Sequence, residues 1–274
     1  MTIIKIRILD NNPNGILEIK IANRSGKVII VPRGELQEFI HTKEGMSRTI
    51  YFLFGGSDLE KSFVYIGQTD NFQRRLTQQD ATRDDWDIAF GFFPGDNDVD
   101  IRYLEGKCIQ LARDIGRYEI KNNQIPLKIS LDNFGKPVND EFFEDMNIIL
   151  NLFRYPIFQK LPKKESAKDI YYFTIGNAKA SGILLENNKF MVFEGSTARI
   201  EERPGFFVSG KNLRRLLKEE KVLVKNGDTY IFTRDYIFER PSSASGVIAG
   251  RNSNGWNEWK NEENKTLDEV KRKK

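Results

Sequence analysis

At 274 residues the chain is long enough for one or two folded domains, and 39% hydrophobic content with 20 Phe excludes a disordered polymer. Charged residues make up 30% of it with a net charge of +4, a mild positive bias that admits an anionic partner without specifying one. A single cysteine, Cys108, excludes an internal disulfide and a multi-cysteine zinc site. With a single histidine besides, His41, any metal is expected to be held by oxygen, which points to Mg²⁺ or Mn²⁺ over zinc. No apolar run approaches ~18 residues, and Met1-Thr2-Ile3-Ile4-Lys5 does not read as a secretion signal. A soluble cytoplasmic protein without a membrane partner is expected.

Residues 2–9, 15–22 and 27–32 read as three short strands, with Asn11-Asn12-Pro13-Asn14-Gly15 and Asn23-Arg24-Ser25-Gly26 as turns. Residues 34–42 carry Leu36, Phe39 and Ile40 at helical spacing. Residues 48–54 read as a strand, Gly55-Gly56-Ser57-Asp58 as a turn, and the stretch from Phe63 as the partner strand, Val64 and Ile66 alternating with Tyr65. Gly67 ends that strand, Asp70 or Asn71 can cap a helix, and the helix carries Arg74 and Arg75. A third strand is expected over 87–93, followed by a helix over 99–116. On that helix Ile101, Leu104, Cys108, Leu111 and Ile115 form an apolar stripe with Glu105 at its border. A border carboxylate can face a neighbouring strand, as a metal ligand must, or pair at the surface with Arg102. Two strand tyrosines, a helical arginine and a helical glutamate thus come from neighbouring elements, a set suited to phosphodiester chemistry.

Residues 140–155 read as a helix with Phe142, Phe143, Met146, Ile149, Leu150 and Phe153 on one face, and 161–169 as a polar linker. Beyond it the pattern is β-rich: strands over 170–175, 182–186, 190–193, 222–225 and 230–233, with a helix over 211–220. On that helix Lys211, Arg215 and Lys218 share a face with Arg214 at its edge, a face that can hold several phosphates or simply be solvated. Ser242 or Ser243 can cap a short helix, and Asn254-Gly255 suits a tight turn. Trp256 and Trp259, three apart, are expected on one face as core anchors in preference to base-stacking surfaces. The charged end from Lys260 reads as frayed or as a terminal helix.

Thr49-Ile50-Tyr51, Tyr65-Ile66-Gly67, Arg75 ten positions after Tyr65, Glu105 and Asn122 stand in order in this chain. Over about residues 47–126 this block resembles the GIY-YIG nuclease module. The resemblance implies a small three-stranded sheet flanked by helices and a phosphodiesterase site with catalytic Tyr51, Tyr65, Arg75, Glu105 and Asn122. Glu105 would hold the metal, Arg75 would neutralise phosphoryl charge, Gln68 would contact water or phosphate, and Asn122 would brace the site. Tyr51 is favoured as the base and Tyr65 as its hydrogen-bonding neighbour, although spacing does not decide between them. Two positions depart from the pattern. Thr49 replaces a glycine, which a strand tolerates. Gln79 stands four residues after Arg75, where many members carry histidine; it can orient a water or a phosphate but cannot carry a proton.

The stretch with Pro241-Ser242-Ser243-Ala244, Asn254-Gly255-Trp256 and Trp259 resembles, over about residues 180–260, a C-terminal domain of unknown function that accompanies GIY-YIG modules. It is also similar to the RAMA domains of restriction and adenine-methylation systems, which implies DNA association through Lys211, Arg214, Arg215, Lys218 and Arg251, joined by Arg74 on the first module. The expected architecture is α+β: an N-terminal β extension (1–46), the nuclease domain (47–135), a connecting helix and linker (136–168), a separate C-terminal α+β domain (169–262) and a charged tail (263–274). The expected function is a metal-dependent DNA endonuclease in bacterial restriction, phage defence or DNA processing. The alternatives are a catalytically impaired reader of modified DNA and a structural subunit; self-association into a homo-oligomer stays open.

Overall fold

A computed structural model describes residues 2–9, 12–56, 62–124 and 129–272. The expected turn residues Ser57 and Asp58, and Asn11, lie outside the described residues. The architecture is mixed α+β, and the chain divides into two compact units between Lys160 and Leu161. Among the described residues no helix is long and apolar enough to cross a membrane.

The first unit contains β1 (Ile4–Ile8), β2 (Leu17–Ile21), β3 (Lys27–Pro32), α1 (Leu36–Ile40), β4 (Thr49–Gly55), β5 (Phe63–Thr69), α2 (Phe72–Thr82), β6 (Trp86–Phe93), α3 (Ile101–Ile115), β7 (Glu119–Ile120) and α4 (Gly135–Leu152). Its strands form one seven-stranded sheet in the order β1-β2-β3-β6-β4-β5-β7. The expected three-stranded sheet is therefore the inner part of a larger one. β3 pairs antiparallel with β6 from Lys27↔Phe93 to Pro32↔Ile88, so residues 27–32 belong to the same sheet and are not an appendage. Without β3 the N–H and C=O groups along β6 would form an open edge.

The run of apolar residues in β4 follows from its central place, with helices on both faces. Ile50, Phe52 and Phe54 share one core with Leu104 and Cys108 of α3 and with Met146 and Ile149 of α4. Tyr51 and Leu53 share the other with Leu36 and Phe39 of α1 and with Phe72 and Leu76 of α2. α4 starts at Gly135 and not at 140, because the Asp132 carboxylate accepts the N–H groups of Phe134 (3.1 Å) and Gly135 (2.7 Å). Its buried face makes it a core element of the first unit and not a connector.

On the α1 side of the sheet, Glu18 accepts from Arg7 at 3.0 Å and from Lys27 at 3.1 Å, while Glu44 accepts from Arg7 at 3.0 Å and also from Lys27. The Lys27 hydrogen bond holds the Glu44 carboxyl below its ordinary value against the opposing effect of burial, with Arg7 adding to it. A depressed carboxyl contributes its full stability above its unfolded value and loses it as pH falls through the folded one. Glu44→Gln is expected to lower the thermal midpoint at pH 7 by about 2–4 °C or less, the size of a half-exposed ion pair. The gap to wild type should close in acid; a gap independent of pH would assign the effect to packing.

The second unit contains β8 (Tyr171–Ile175), β9 (Ala178–Leu184), β10 (Phe190–Val192), β11 (Thr197–Arg199), α5 (Val208–Glu219), β12 (Leu223–Asn226), β13 (Thr229–Phe232), β14 (Tyr236–Phe238), α6 (Pro241–Ala249), α7 (Gly255–Glu258) and α8 (Leu267–Lys271). Two sheets, β14-β10-β9-β8 and β11-β13-β12, enclose its core. Trp259 is fully buried, 4.3 Å from Phe190 and 5.4 Å from Phe173 between ring centroids, and its Nε1–H donates to the Pro241 carbonyl at 3.1 Å. Trp256 is half-buried beneath Arg272, whose guanidinium lies 3.5 Å from the ring centroid, and it packs against the same core as Trp259.

Neither Ser242 nor Ser243 caps α6. Pro241 opens that helix, which needs no N–H there, and the Ser242 hydroxyl instead accepts from the Gly255 N–H at 3.0 Å. Asn254 caps α7, in place of the expected tight turn. The charged end is a helix, capped reciprocally by Thr266 and Glu269 and anchored by buried Leu267.

Candidate functional site

Tyr51 sits mid-strand in β4, opposite Gly67 on β5 and Gly91 on β6. A Cβ added to Gly67 would lie 2.5 Å from the Tyr51 hydroxyl and 2.6 Å from its Cζ; one added to Gly91 would lie 2.5 Å from the Phe72 ring. The missing side chains let Tyr51 fold over β5 and Phe72 over β6, and the two rings pack 5.9 Å apart. Gly67 thus has a steric reason for closing the Tyr65-Ile66-Gly67 triplet. Gly91 escaped sequence reasoning, although a glycine between Phe90 and Phe92 inside a strand is itself a sign of close approach.

α2 is set on the sheet by buried Phe72 and Leu76 and tied to the end of α1 by Gln73, whose Nε2 donates to the carbonyls of Phe39 (2.9 Å) and Thr42 (3.0 Å). Of the two candidate caps it is Asn71 that acts, accepting from the Arg74 N–H at 3.0 Å. This placement brings Arg75 Nε to 2.9 Å and Gln79 Nε2 to 3.3 Å from the Tyr51 hydroxyl, which accepts from both. The Tyr65 ring lies beside that of Tyr51, 6.1 Å away between centroids.

Two expectations change here. Gln79, 5% exposed, is turned inward and braces Tyr51 through its Nε2. Tyr51 is 0% exposed, and burial, followed by the neighbouring Tyr65, pushes its phenol well above the ordinary value, with Arg75 offsetting part of this. A buried phenol that already accepts two hydrogen bonds is poorly placed to take a proton from water. Tyr65 is half-exposed.

Glu105 rides on α3, which Asp100 caps by accepting from Arg102 and Tyr103 N–H groups and which Gly116 ends in the left-handed region at φ 69°. Its half-buried carboxyl is pushed up by desolvation, while a hydrogen bond from the Gln68 backbone N–H and the charge of Arg75 act the other way. Gln68 therefore reaches Glu105 through its main chain. The Asn122 side chain accepts from the Ile66 N–H at 3.0 Å and donates to the Ile66 carbonyl at 2.7 Å, continuing the ladder of β7 along β5 behind the tyrosine triplet.

Among the described residues no group of three or more His, Cys, Asp or Glu side chains gathers to hold a metal. A single carboxylate, Glu105, suits a hard cation that keeps most of its water, Mg²⁺ or Mn²⁺, and not zinc.

In the second unit Lys211, Arg215 and Lys218 are exposed on α5, with Arg215 3.8 Å from Glu219 and Lys218 Nζ 5.7 Å from the Tyr230 ring centroid. Arg214 does not join them: it is 0% exposed, donates to the carbonyls of Arg199 and Ile200, and lies 3.6 Å from Glu202. Gly250 makes room for it, since a Cβ there would come 2.5 Å from Arg214 Nη1. Arg251 is engaged by Glu258 at 2.7 Å, and Arg74 is exposed on the first turn of α2.

Residues 171–271 match the model of a domain of unknown function, DUF4357. The matched span runs from β8 to α8 and so covers the ordered elements of the second unit. No curated protein and no solved structure matches the chain.

Gly67→Ala is expected to displace the Tyr51 ring and destabilise the protein by ~1–3 kcal/mol, the usual cost of overpacking. A lowered thermal midpoint with an altered near-ultraviolet tyrosine signal checks this; a native midpoint and spectrum would mean that the ring yields freely.

Proposed function

We propose that the first unit is a metal-dependent DNA endonuclease acting at the surface formed by Tyr65, Arg75 and Glu105, and that the second unit holds or selects DNA. The observation that carries this reading is Arg75. Its Nε bond to Tyr51 fixes the guanidinium in direction, its charge is felt by Glu105, and it interacts electrostatically with Tyr65. A fixed cation, a carboxylate and a half-exposed phenol therefore meet at one place, the set that phosphodiester hydrolysis requires.

Arg75 would neutralise charge growing on the phosphoryl oxygens through preset donors. Tyr65, as its phenolate, would orient the attacking water and accept its proton, the Arg75 cation beside it favouring that form. Tyr51 is then a positioning residue, and Gln79 keeps it so without needing to titrate. Glu105 would hold Mg²⁺ or Mn²⁺, which supplies further relief of charge on the phosphate when bound. Asn122 would keep the Tyr65 segment in register from behind.

The direct experiment incubates labelled single- and double-stranded DNA with wild type, Glu105→Ala, Tyr65→Phe and Tyr51→Phe in Mg²⁺, Mn²⁺ or EDTA. Metal-dependent cleavage by wild type is expected, with Glu105→Ala and Tyr65→Phe slower by about 10²-fold or more and Tyr51→Phe less affected. Equal cleavage by Glu105→Ala would displace the site. A loss confined to Tyr51→Phe would exchange the tyrosine roles, and binding without cleavage by wild type would favour a DNA reader.

The exposed face of α5 supports the assignment of DNA contact to the second unit. Replacing Lys211, Arg215 and Lys218 together by Ala is expected to reduce the slope of log affinity against log salt by about 0.7–0.9 for each phosphate these side chains neutralise. An unchanged slope would return that face to ordinary solvated surface.

A further inference from the structure

Arg83 follows the last turn of α2, its backbone N–H still donating to the Gln79 carbonyl at 2.8 Å. Arg75 and Gln79 lie four residues apart on one side of α2, and Arg83, four further on, is its C-cap residue with an extended backbone. The Arg83 guanidinium carbon lies 4.4 Å from the centroid of the Tyr65 ring. Stacking on an aromatic face uses the cation's charge but leaves the N–H groups at its rim available.

Neighbouring arginines are differently employed. Arg75 is committed to Tyr51, and Arg33 to the Asp80 carboxylate at 2.7 Å and the Asp84 carbonyl. Among the described residues the Arg83 side chain makes no hydrogen bond or ion pair, although Asp84 and Asp85 follow it directly in sequence. A half-exposed guanidinium held on the candidate tyrosine, with its donors unspent, has the form of a site for a second anion.

We propose that Arg83 binds a non-scissile phosphate of the strand whose scissile phosphate lies at Arg75. The substrate class is then a polynucleotide, with at least one intact phosphate besides the one attacked, and not an isolated phosphodiester. This rests on the endonuclease reading above. Arg83 is a substrate-binding residue that takes no part in bond breaking, and its stacking on Tyr65 couples strand binding to the position of that phenol.

The test compares wild type, Arg83→Ala and Arg83→Lys on a labelled oligonucleotide and on bis(p-nitrophenyl) phosphate, which carries no second phosphate. Oligonucleotide affinity is measured in EDTA across a salt series. Arg83→Ala is expected to lose roughly tenfold more in kcat/KM on the oligonucleotide than on the small diester, the size of one charged hydrogen bond. Its salt slope should fall by about 0.7–0.9, and Arg83→Lys, which keeps the charge, should recover most of that slope. Equal losses on both substrates would make Arg83 a clamp for Tyr65 and overturn the proposal, as would an unchanged slope in Arg83→Ala. Wild type that neither binds the oligonucleotide nor hydrolyses either substrate would overturn the endonuclease reading and this proposal together. Thermal midpoints of all three proteins separate these outcomes from misfolding.

Discussion

The Tyr51 hydroxyl is a polar group enclosed in an apolar sheet, and satisfying it sets the geometry of everything around it. Left without partners, such a group costs about 1–3 kcal/mol. Here it accepts from Arg75 and Gln79, so one buried oxygen ties β4 to α2. The condition for this is empty space on both neighbouring strands, supplied by Gly67 and Gly91. A glutamine at position 79 suits that role well, because a neutral amide donates a hydrogen bond whatever the pH.

The second constraint is the management of strand edges. β5 is flanked by only the two residues of β7, after which the side chain of Asn122 takes over the pairing of Ile66. An amide side chain carries a donor and an acceptor at about the spacing of a peptide group, so it can substitute for one more strand residue. On the opposite side β6 is closed by β3, and this makes the N-terminal strands part of the same sheet. The site segment is thus held from both directions by hydrogen bonds that do not involve its reactive side chains.

The second unit shows how little a run of basic residues says about its use. Lys211, Arg215 and Lys218 stay in solvent, while Arg214, from the same helix, is enclosed and turns its Nη2 to backbone carbonyls. The enclosure depends on Gly250, far away in sequence, whose lack of a side chain leaves room for the guanidinium. Trp259 likewise closes the core by packing on Phe190 and Phe173, residues that helix periodicity around residue 259 does not reveal.

Local pattern in the sequence determined the paired tyrosine strands, the arginine helix, the long α3 stripe with its Asp and Gly ends, and the mixed α+β character. Alternation, helical spacing and caps are properties of residues close together in the chain, and they can be read there. The tertiary structure alone decided that β3 joins β6, that α4 is core, that Gln79 meets Tyr51, and that Arg214 is buried. Each of these depends on which distant residue fills or vacates a neighbouring space: Gly67 and Gly91 beside the rings, Gly250 beside Arg214, Asn122 beside Ile66. Spacing along the chain places a side chain on a face, but the elements packed against that face decide whether it meets solvent, a backbone carbonyl or another side chain.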